Sequence, residues 1–164
     1  MPSKRIHKTA LPAESSYGDH IDRVDYGDAF TIQGVDTELS AQEAYVMLFS
    51  DTPQWIKNLM KVRNRLVSLV GLKTDVAMTD IDDTSILLEG SSMGMFEIYH
   101  IGENEIIAGE KDRHLDFVVS VLRQEGGVTV STLVKYHNFF GKVYMTLISP
   151  FHKRIVKHIM RKLV

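Results

Sequence analysis

The chain has 164 residues, of which 44% are apolar and 24% charged, and it contains no cysteine. This length suits one domain with a buried core, and the composition excludes intrinsic disorder, disulfide bonds, thiolate metal sites and a cysteine nucleophile. The net charge of −2 is unevenly placed, since residues 1–125 carry 12 basic and 21 acidic side chains (−9) and residues 126–164 carry seven basic and no acidic ones (+7).

The first part of the chain predicts an arm and a strand. Residues 1–21 mix proline, glycine and charged residues without periodicity, so they predict an irregular N-terminal arm ahead of a single domain over 22–164. In the segment 28–35, Phe30 and Ile32 share one face of a short strand. We also expect a cytoplasmic protein, because the N-terminus lacks the apolar segment of a signal peptide and no run of about eighteen apolar residues follows.

Two helices follow this strand. Ser40 and Glu43 have the spacing of a capping box, which predicts the start of the first helix. Thr52 caps a second helix, with Pro53 at its first position. The apolar residues of the second helix recur at helical spacing until Gly71, and we expect Trp55, like Phe96 further on, in the core rather than in a site. The recurring residues are Trp55, Leu59, Val62, Leu66 and Val70.

From residue 74 onward the apolar period changes to two, which predicts an antiparallel meander. The predicted strands span residues 85–89, 93–101, 105–110, 114–123 and 128–137. If Gly126 and Gly127 form a two-residue turn, Phe117 lies opposite Tyr136, and one face of this last hairpin is apolar. The other face is polar and suits either water or a binding site.

The final segment, 141–164, returns to helical spacing and predicts an amphipathic, basic helix. Pro150 lies inside it and should kink the helix or divide it in two. His152 projects from the middle of the apolar face, where an unsatisfied polar group would cost about 1–3 kcal/mol. It either finds a partner in the core or, with Tyr144 and Tyr136, orients a ligand.

Three blocks of the chain resemble a bacterial family known only as a domain of unknown function, number 2867. The blocks are Trp55-x3-Leu59-x3-Arg63-x2-Leu66-x4-Gly71-Leu72, the segment 109–117, and the segment from Val134 through His137, Gly141, Tyr144 and Pro150 to Val156. That family is similar to the START-type, polyketide-cyclase-like superfamily. The resemblance covers about residues 26–162 and implies an α+β helix-grip fold, in which an antiparallel sheet wraps around a long C-terminal helix.

The resemblance also implies a cavity between the sheet and the last helix that binds a hydrophobic small molecule, such as a lipid or a polyketide, without a cofactor. It supplies no catalytic residues. The residues expected to line the cavity are Phe117, Val119, Val134, Tyr136, Tyr144, Ile148, Phe151, His152 and Ile155. Two other functions stay open. One is a cyclase- or dehydratase-like enzyme that uses histidine and tyrosine side chains in the cavity; the other is an interaction module whose basic last helix meets an anionic surface such as a membrane.

A second group of polar residues surrounds the predicted hairpin. Arg113, His114, Asp116 and His137 could form a hydrogen-bonded network at the rim of the sheet, and the two histidines with Asp116 could also form a facial metal set. The pairing places them on the face opposite the cavity, so we predict the network and no metal.

One phosphatase-like motif also occurs. The segment from Asp80 to Thr84 matches the Asp-x-Asp-x-Thr signature of aspartyl-phosphate enzymes, but hairpin-like strands follow it instead of a helix, which favours a solvated acidic loop. A calcium loop is disfavoured because Ser85 stands at its sixth position, where glycine is required, and Ser91 at its twelfth, where glutamate is required. Glycine-rich phosphate loops and common hydrolase motifs are absent, and no nucleic-acid partner is expected.

Overall fold

The computed structural model describes residues 5–69, 86–93 and 96–164, which form one antiparallel sheet and three helices. The strands are β1 (Ile6–Thr9), β2 (Tyr26–Gln33), β3 (Ser92–Met93), β4 (Phe96–Ile101), β5 (Glu105–Lys111), β6 (Leu115–Gln124) and β7 (Gly127–Tyr136). The helices are α1 (Ala41–Phe49), α2 (Gln54–Ser68) and α3 (Phe139–Met160), with 3-10 turns at Ser16–Asp19 and Arg161–Leu163. The strand order is β1-β2-β7-β6-β5-β4-β3. The predicted α+β, helix-grip-like fold with a long C-terminal helix is therefore confirmed.

The N-terminal segment contributes more structure than an irregular arm. Residues 6–9 form β1, which pairs with β2 at the edge of the sheet. Further along, the buried carboxylate of Glu105 accepts hydrogen bonds from the Ser16 backbone N–H at 2.9 Å and the Ser120 hydroxyl at 2.5 Å, and another from Ser15. This carboxylate fastens the segment to the sheet. The periodicity of the sequence does not reveal the interaction, because its partners are far apart in the chain.

The two helices begin close to their predicted positions. Ser40 accepts a hydrogen bond from the Glu43 backbone N–H while the Glu43 carboxylate binds the Ser40 backbone N–H, so the capping box is confirmed. The cap of α2 is a correction, because the N-cap residue is Pro53 and not Thr52. The predicted end of α2 at Gly71 lies outside the described residues.

The β6–β7 hairpin keeps its predicted faces but turns one residue earlier. Glu125 and Gly126 form the turn, Gly126 has φ +75°, and Gln124 pairs with Gly127. Phe117 therefore lies opposite Val134, and the predicted pairing with Tyr136 is wrong. Gly127 belongs to the ladder, where a Cβ would lie 2.6 Å from the Ile32 carbonyl oxygen. The shift changes each partner by two residues, so every side chain stays on its predicted face.

Two predicted strands differ from the observed ones. Residues 86–88 are not in a strand, and Glu89 and Gly90 form a turn in which Gly90 has φ +77°. The predicted strand 93–101 is divided into β3 and β4, and a register irregularity interrupts the β4–β5 pairing between Ile98 and His100.

The last helix is one continuous element. α3 runs through Pro150 without a break, so the division of this helix into two is wrong. It begins with Asn138 as its cap, and the backbone of Gly141 lies so close to the sheet that a Cβ there would be 2.1 Å from the His114 carbonyl oxygen. At the other end, the Lys162 ammonium donates to the carbonyl of Ser50 just after α1.

Each face of the sheet is covered. We call the face that α1 and α3 cover the helix face, and its buried core contains Phe30, Ile32, Val121 and Met160. The opposite, outer face carries a smaller cluster of Ile107, Val118 and Leu133, against which Ile21 and the part-buried Leu11 and Tyr17 pack. The outer face of the predicted hairpin is thus largely covered by the N-terminal segment rather than left to water.

Candidate functional site

A buried acid–histidine pair lies between β2 and α3. The Asp28 side chain is only 2% exposed, and its Oδ1 lies 3.6 Å from Nε2 of His152, whose side chain is 14% exposed. Tyr26 donates a hydrogen bond from its hydroxyl to Asp28 Oδ2 at 2.5 Å. Within the described part of the chain neither Asp28 Oδ1 nor His152 Nε2 has a hydrogen-bond partner. Since buried polar atoms are rarely left unpaired, this pair is a feature that calls for a functional explanation.

Strand alternation explains how an aspartate comes to face the helix. Asp28 stands two residues before Phe30 and four before Ile32, so all three side chains project from one face of β2. His152 approaches from the opposite side because it occupies the apolar face of α3, as the sequence predicted. The sequence analysis missed Asp28 and Tyr26, although the alternation that placed Phe30 and Ile32 inward also placed Asp28 there.

The pair is electrostatically biased toward the ionised aspartate. Burial alone would raise the pKa of Asp28, but the side chains of His152 and Tyr26 outweigh it and hold that pKa below its ordinary value of 3.8. Burial and the hydrogen bond to Asp28 raise the pKa of Tyr26, which therefore keeps its proton and remains a donor. The aspartate of the pair is thus held in its ionised form.

Aromatic rings adjoin the pair on the side of β4 and β6. The Phe117 ring meets the His152 ring edge-on with centroids 6.2 Å apart, and it stacks on Phe96 at 5.4 Å. Both phenylalanines are only partly buried although their side chains face the core. The imidazole is therefore held between a carboxylate on one side and an aromatic ring on another, an arrangement in which a carboxylate can orient a histidine for proton transfer.

The residues predicted to line a cavity divide into three groups. Val119 and Val134 are fully packed into clusters of buried residues. Phe151 is 49% exposed on the outer side of α3. The remaining side chains are partly buried and lie on α3 itself or on β6 and β7; they are Phe117, Tyr136, Tyr144, Ile148, His152 and Ile155.

An open apolar groove separates α2 from α3. It has a volume of about 430 Å³ and is lined by Trp55, Asn58, Leu59, Val62, Phe151 and Arg154. Contacts between the helices bound it at both ends. Trp55 meets the His158 ring at 5.3 Å, and Arg63 Nε donates to the Tyr144 hydroxyl at 2.9 Å. The expected burial of Trp55 is wrong, since it is 44% exposed, because α2 turns its apolar stripe toward this groove. Phe96 packs against the core.

The predicted polar group at the rim divides into two separate contacts. Asp116 Oδ1 lies 2.9 Å from His137 Nε2 at the surface, although their backbones are not directly paired. His114 is buried, and its Nδ1 lies 2.8 Å from the Asn138 amide nitrogen, behind the cap of α3. Arg113 is exposed. His114 therefore supports the start of α3, and the set does not converge on one point.

The described ranges lack two further features. No three histidine, aspartate or glutamate side chains there come together so that they could hold a metal ion. None of the described helices combines the length and apolar character needed to cross a membrane. The phosphatase-like segment from Asp80 to Thr84, like Ser85 of the calcium-loop alternative, lies outside the described residues.

The architecture belongs to the α+β class in which helices pack on one face of an antiparallel sheet and a long C-terminal helix closes the chain. A comparison with protein-family models matches residues 20–159 to the family described as "Protein of unknown function (DUF2867)". The match covers most of the chain, which therefore belongs to this family. Neither curated proteins nor solved structures gave a match.

Proposed function

We propose that this protein binds a hydrophobic small molecule with one neutral polar group, of lipid or polyketide type, between its helices and the helix face of the sheet. The observation that carries the proposal is the groove of about 430 Å³ between α2 and α3, which lies in the size range of small-molecule sites. The START-type resemblance of the sequence favours the same class of ligand.

In the proposal, part-exposed side chains between α3 and the sheet form the inner part of this site. Phe117, His152 and Ile155 face the sheet side of α3 and keep some accessible surface, whereas their neighbour Val119 is buried. In the proposal, the apolar body of the ligand enters the groove beside Phe151 and reaches these residues. Small-molecule sites combine a mostly apolar lining with a few polar groups that orient the ligand.

The buried charge defines the polar end. The ionised Asp28 repels a carboxylate, so a hydroxyl or carbonyl group hydrogen-bonded to the His152 ring is favoured over an acid. We therefore expect 1-decanol to bind better than decanoate at neutral pH.

The only tryptophan of the chain lies in the groove and reports on its occupancy. Titration with 1-decanol should change the Trp55 emission saturably and raise the melting temperature, because a ligand that binds only the native state stabilises it. No saturable change with 1-decanol or with any member of a panel of neutral lipids and aromatic polyketides would contradict the proposal.

Two matched substitutions on α2 locate the site. Val62→Phe adds volume inside the groove and should weaken 1-decanol binding about tenfold, roughly the effect of a steric mismatch of 1–2 kcal/mol. Leu66→Phe, one turn further along and outside the groove lining, should leave the affinity unchanged. Equal effects of the two substitutions would place the ligand elsewhere.

The acid–histidine pair favours one second candidate function, an acid–base enzyme of the cyclase or dehydratase kind. Asp28 would orient His152, and the imidazole would remove the proton next to a carbonyl group and donate it to the β-hydroxyl group, which leaves as water as the double bond forms. A 3-hydroxyacyl thioester tests this directly. Formation of the enoyl thioester by the native protein but not by His152→Gln would support the enzyme, and no turnover would leave the protein as a binder.

A further inference from the structure

The outward surface of α2 carries an apolar stripe. Trp55, Leu59, Val62, Leu66 and Leu69 fall within an arc of about 80° at 100° per residue. Leu66 is 63% exposed and Leu69 is 83% exposed. Because Leu66 and Leu69 lie mostly in water, their place on a continuous apolar stripe indicates an interaction surface.

A second stripe lies on α3. Phe140, Val143, Leu147 and Phe151 also share an arc of about 80°, and Leu147 is 68% exposed. The contact pairs Trp55–His158 and Arg63–Tyr144 show that α2 and α3 run antiparallel side by side. The two stripes therefore lie side by side, with the groove between some of their residues, and form one surface, which we call the two-helix surface.

The charges on these helices have one sign. Each helix contains four lysine and arginine residues, eight together, and neither contains an aspartate or glutamate. Lys61 and Arg65 are exposed beside the stripe of α2, and Arg154 lies within the stripe of α3. Apolar side chains flanked by basic ones are the pattern of helices that lie in a membrane interface.

We propose that the two-helix surface docks on an anionic phospholipid bilayer. The leucine, phenylalanine and tryptophan side chains would enter the boundary between headgroups and acyl chains, where tryptophan is favoured, and the basic side chains would contact lipid phosphates. A second copy of this chain is a poorer occupant, because two surfaces with the same positive charge repel each other.

Vesicle binding tests this directly. Vesicles of phosphatidylcholine with about 30 mol% phosphatidylglycerol should bind the protein and shift the Trp55 emission to shorter wavelength, whereas pure phosphatidylcholine vesicles should do so far more weakly. Raising the salt to about 0.5 M should reduce the binding, because it screens the attraction between basic side chains and lipid.

Matched variants separate the two-helix surface from net charge. Lys61→Glu with Arg65→Glu should weaken binding to the anionic vesicles at least about tenfold, since each basic residue near such a surface contributes roughly a fivefold effect. Arg5→Glu with Lys8→Glu makes the same change in charge at the β1 edge of the sheet, outside the two-helix surface, and should leave the binding within about twofold. Leu66→Ser with Leu147→Ser should remove the shift in Trp55 emission. Circular dichroism checks that each variant is folded.

Three results would overturn the proposal. They are equal binding to both kinds of vesicle, equal effects of the two charge reversals, and a dimer in sedimentation velocity that Leu66→Ser with Leu147→Ser dissociates. Ligand binding is tested without vesicles, so failure of membrane docking leaves the 1-decanol titration unaffected, and failure of that titration leaves the vesicle result intact.

Discussion

The two ends of α3 meet the rest of the molecule in different ways. At the end that includes Val156, Ile159 and Met160, which we call the closed end, no side chain of these three is more than 8% exposed, and the helix packs against α1 and β2. At the other end, the open end, Met145 is still buried against the sheet, but the outward side chains Leu147 and Phe151 are 68% and 49% exposed, and Phe151 lines the groove between α3 and α2. One helix thus serves stability at one end and, in our proposals, binding at the other.

The largest expected effect compares one residue from each end. Ile32→Ala at the closed end removes a fully buried side chain and should lower the free energy of unfolding by about 3 kcal/mol. Phe151→Ala at the open end should change it by less than about 1 kcal/mol, because half of the ring is already in water. Urea denaturation of both variants measures the difference, and similar losses would contradict the division of α3.

The open end is fastened by the backbone at one position. Gly141→Ala should destabilise the protein by about 2 kcal/mol although alanine favours helices, because the added methyl group would lie 2.1 Å from the His114 carbonyl oxygen. Gly18→Ala, where the added Cβ meets no atom within 4 Å, is the control and should be nearly neutral. A stabilised Gly141→Ala variant would show that α3 does not approach β6 so closely.

The buried carboxylate beside His152 predicts a pH dependence. The folded-state pKa of Asp28 is lowered, so its contribution to stability is present above the unfolded value near 3.8 and is lost as the pH falls through the lower folded value. Asp28→Asn should cost about 1–3 kcal/mol at pH 7 and should lose less stability than the native protein on acidification below pH 3.8.

The control for this substitution is Asp22→Asn. Asp22 is exposed and bonds to Lys135 at the surface, so its removal should leave the free energy of unfolding at pH 7 nearly unchanged. Denaturation at several pH values compares the two variants. If Asp28→Asn follows the native protein at every pH, the carboxylate does not carry the charge that we assign to it.

Much of the fold follows from local patterns in the sequence. The capping box at Ser40 and the alternation in β6 and β7 specify their elements because each depends on residues close together in the chain. The sequence predicts the turn one residue too late, since both Glu125-Gly126 and Gly126-Gly127 permit a two-residue turn. The close approach of Gly127 to Ile32 in the neighbouring strand selects one of them.

The candidate site was harder to predict because its parts come from distant segments. The position of His152 on an apolar face identified it, but its partner Asp28 lies 124 residues earlier, and only the pairing of β2 with β7 brings it beneath α3. The stripe of α2 has the spacing of a core face, and nothing in that spacing shows that it borders an open groove. Helical periodicity indicates an apolar surface, and tertiary packing decides what covers it.

The most direct test of the account uses isoleucine methyl groups at both ends of α3. In a methyl-labelled sample, titration with 1-decanol should shift the NMR signals of Ile148, at the open end of α3, and of Ile155, one turn beyond Phe151; both side chains are only partly buried. The signals of Ile32 and Ile106, which are fully buried, should stay in place. Shifts confined to Ile148 and Ile155 would support a ligand site at the open end, and unchanged or uniformly shifted signals would contradict it.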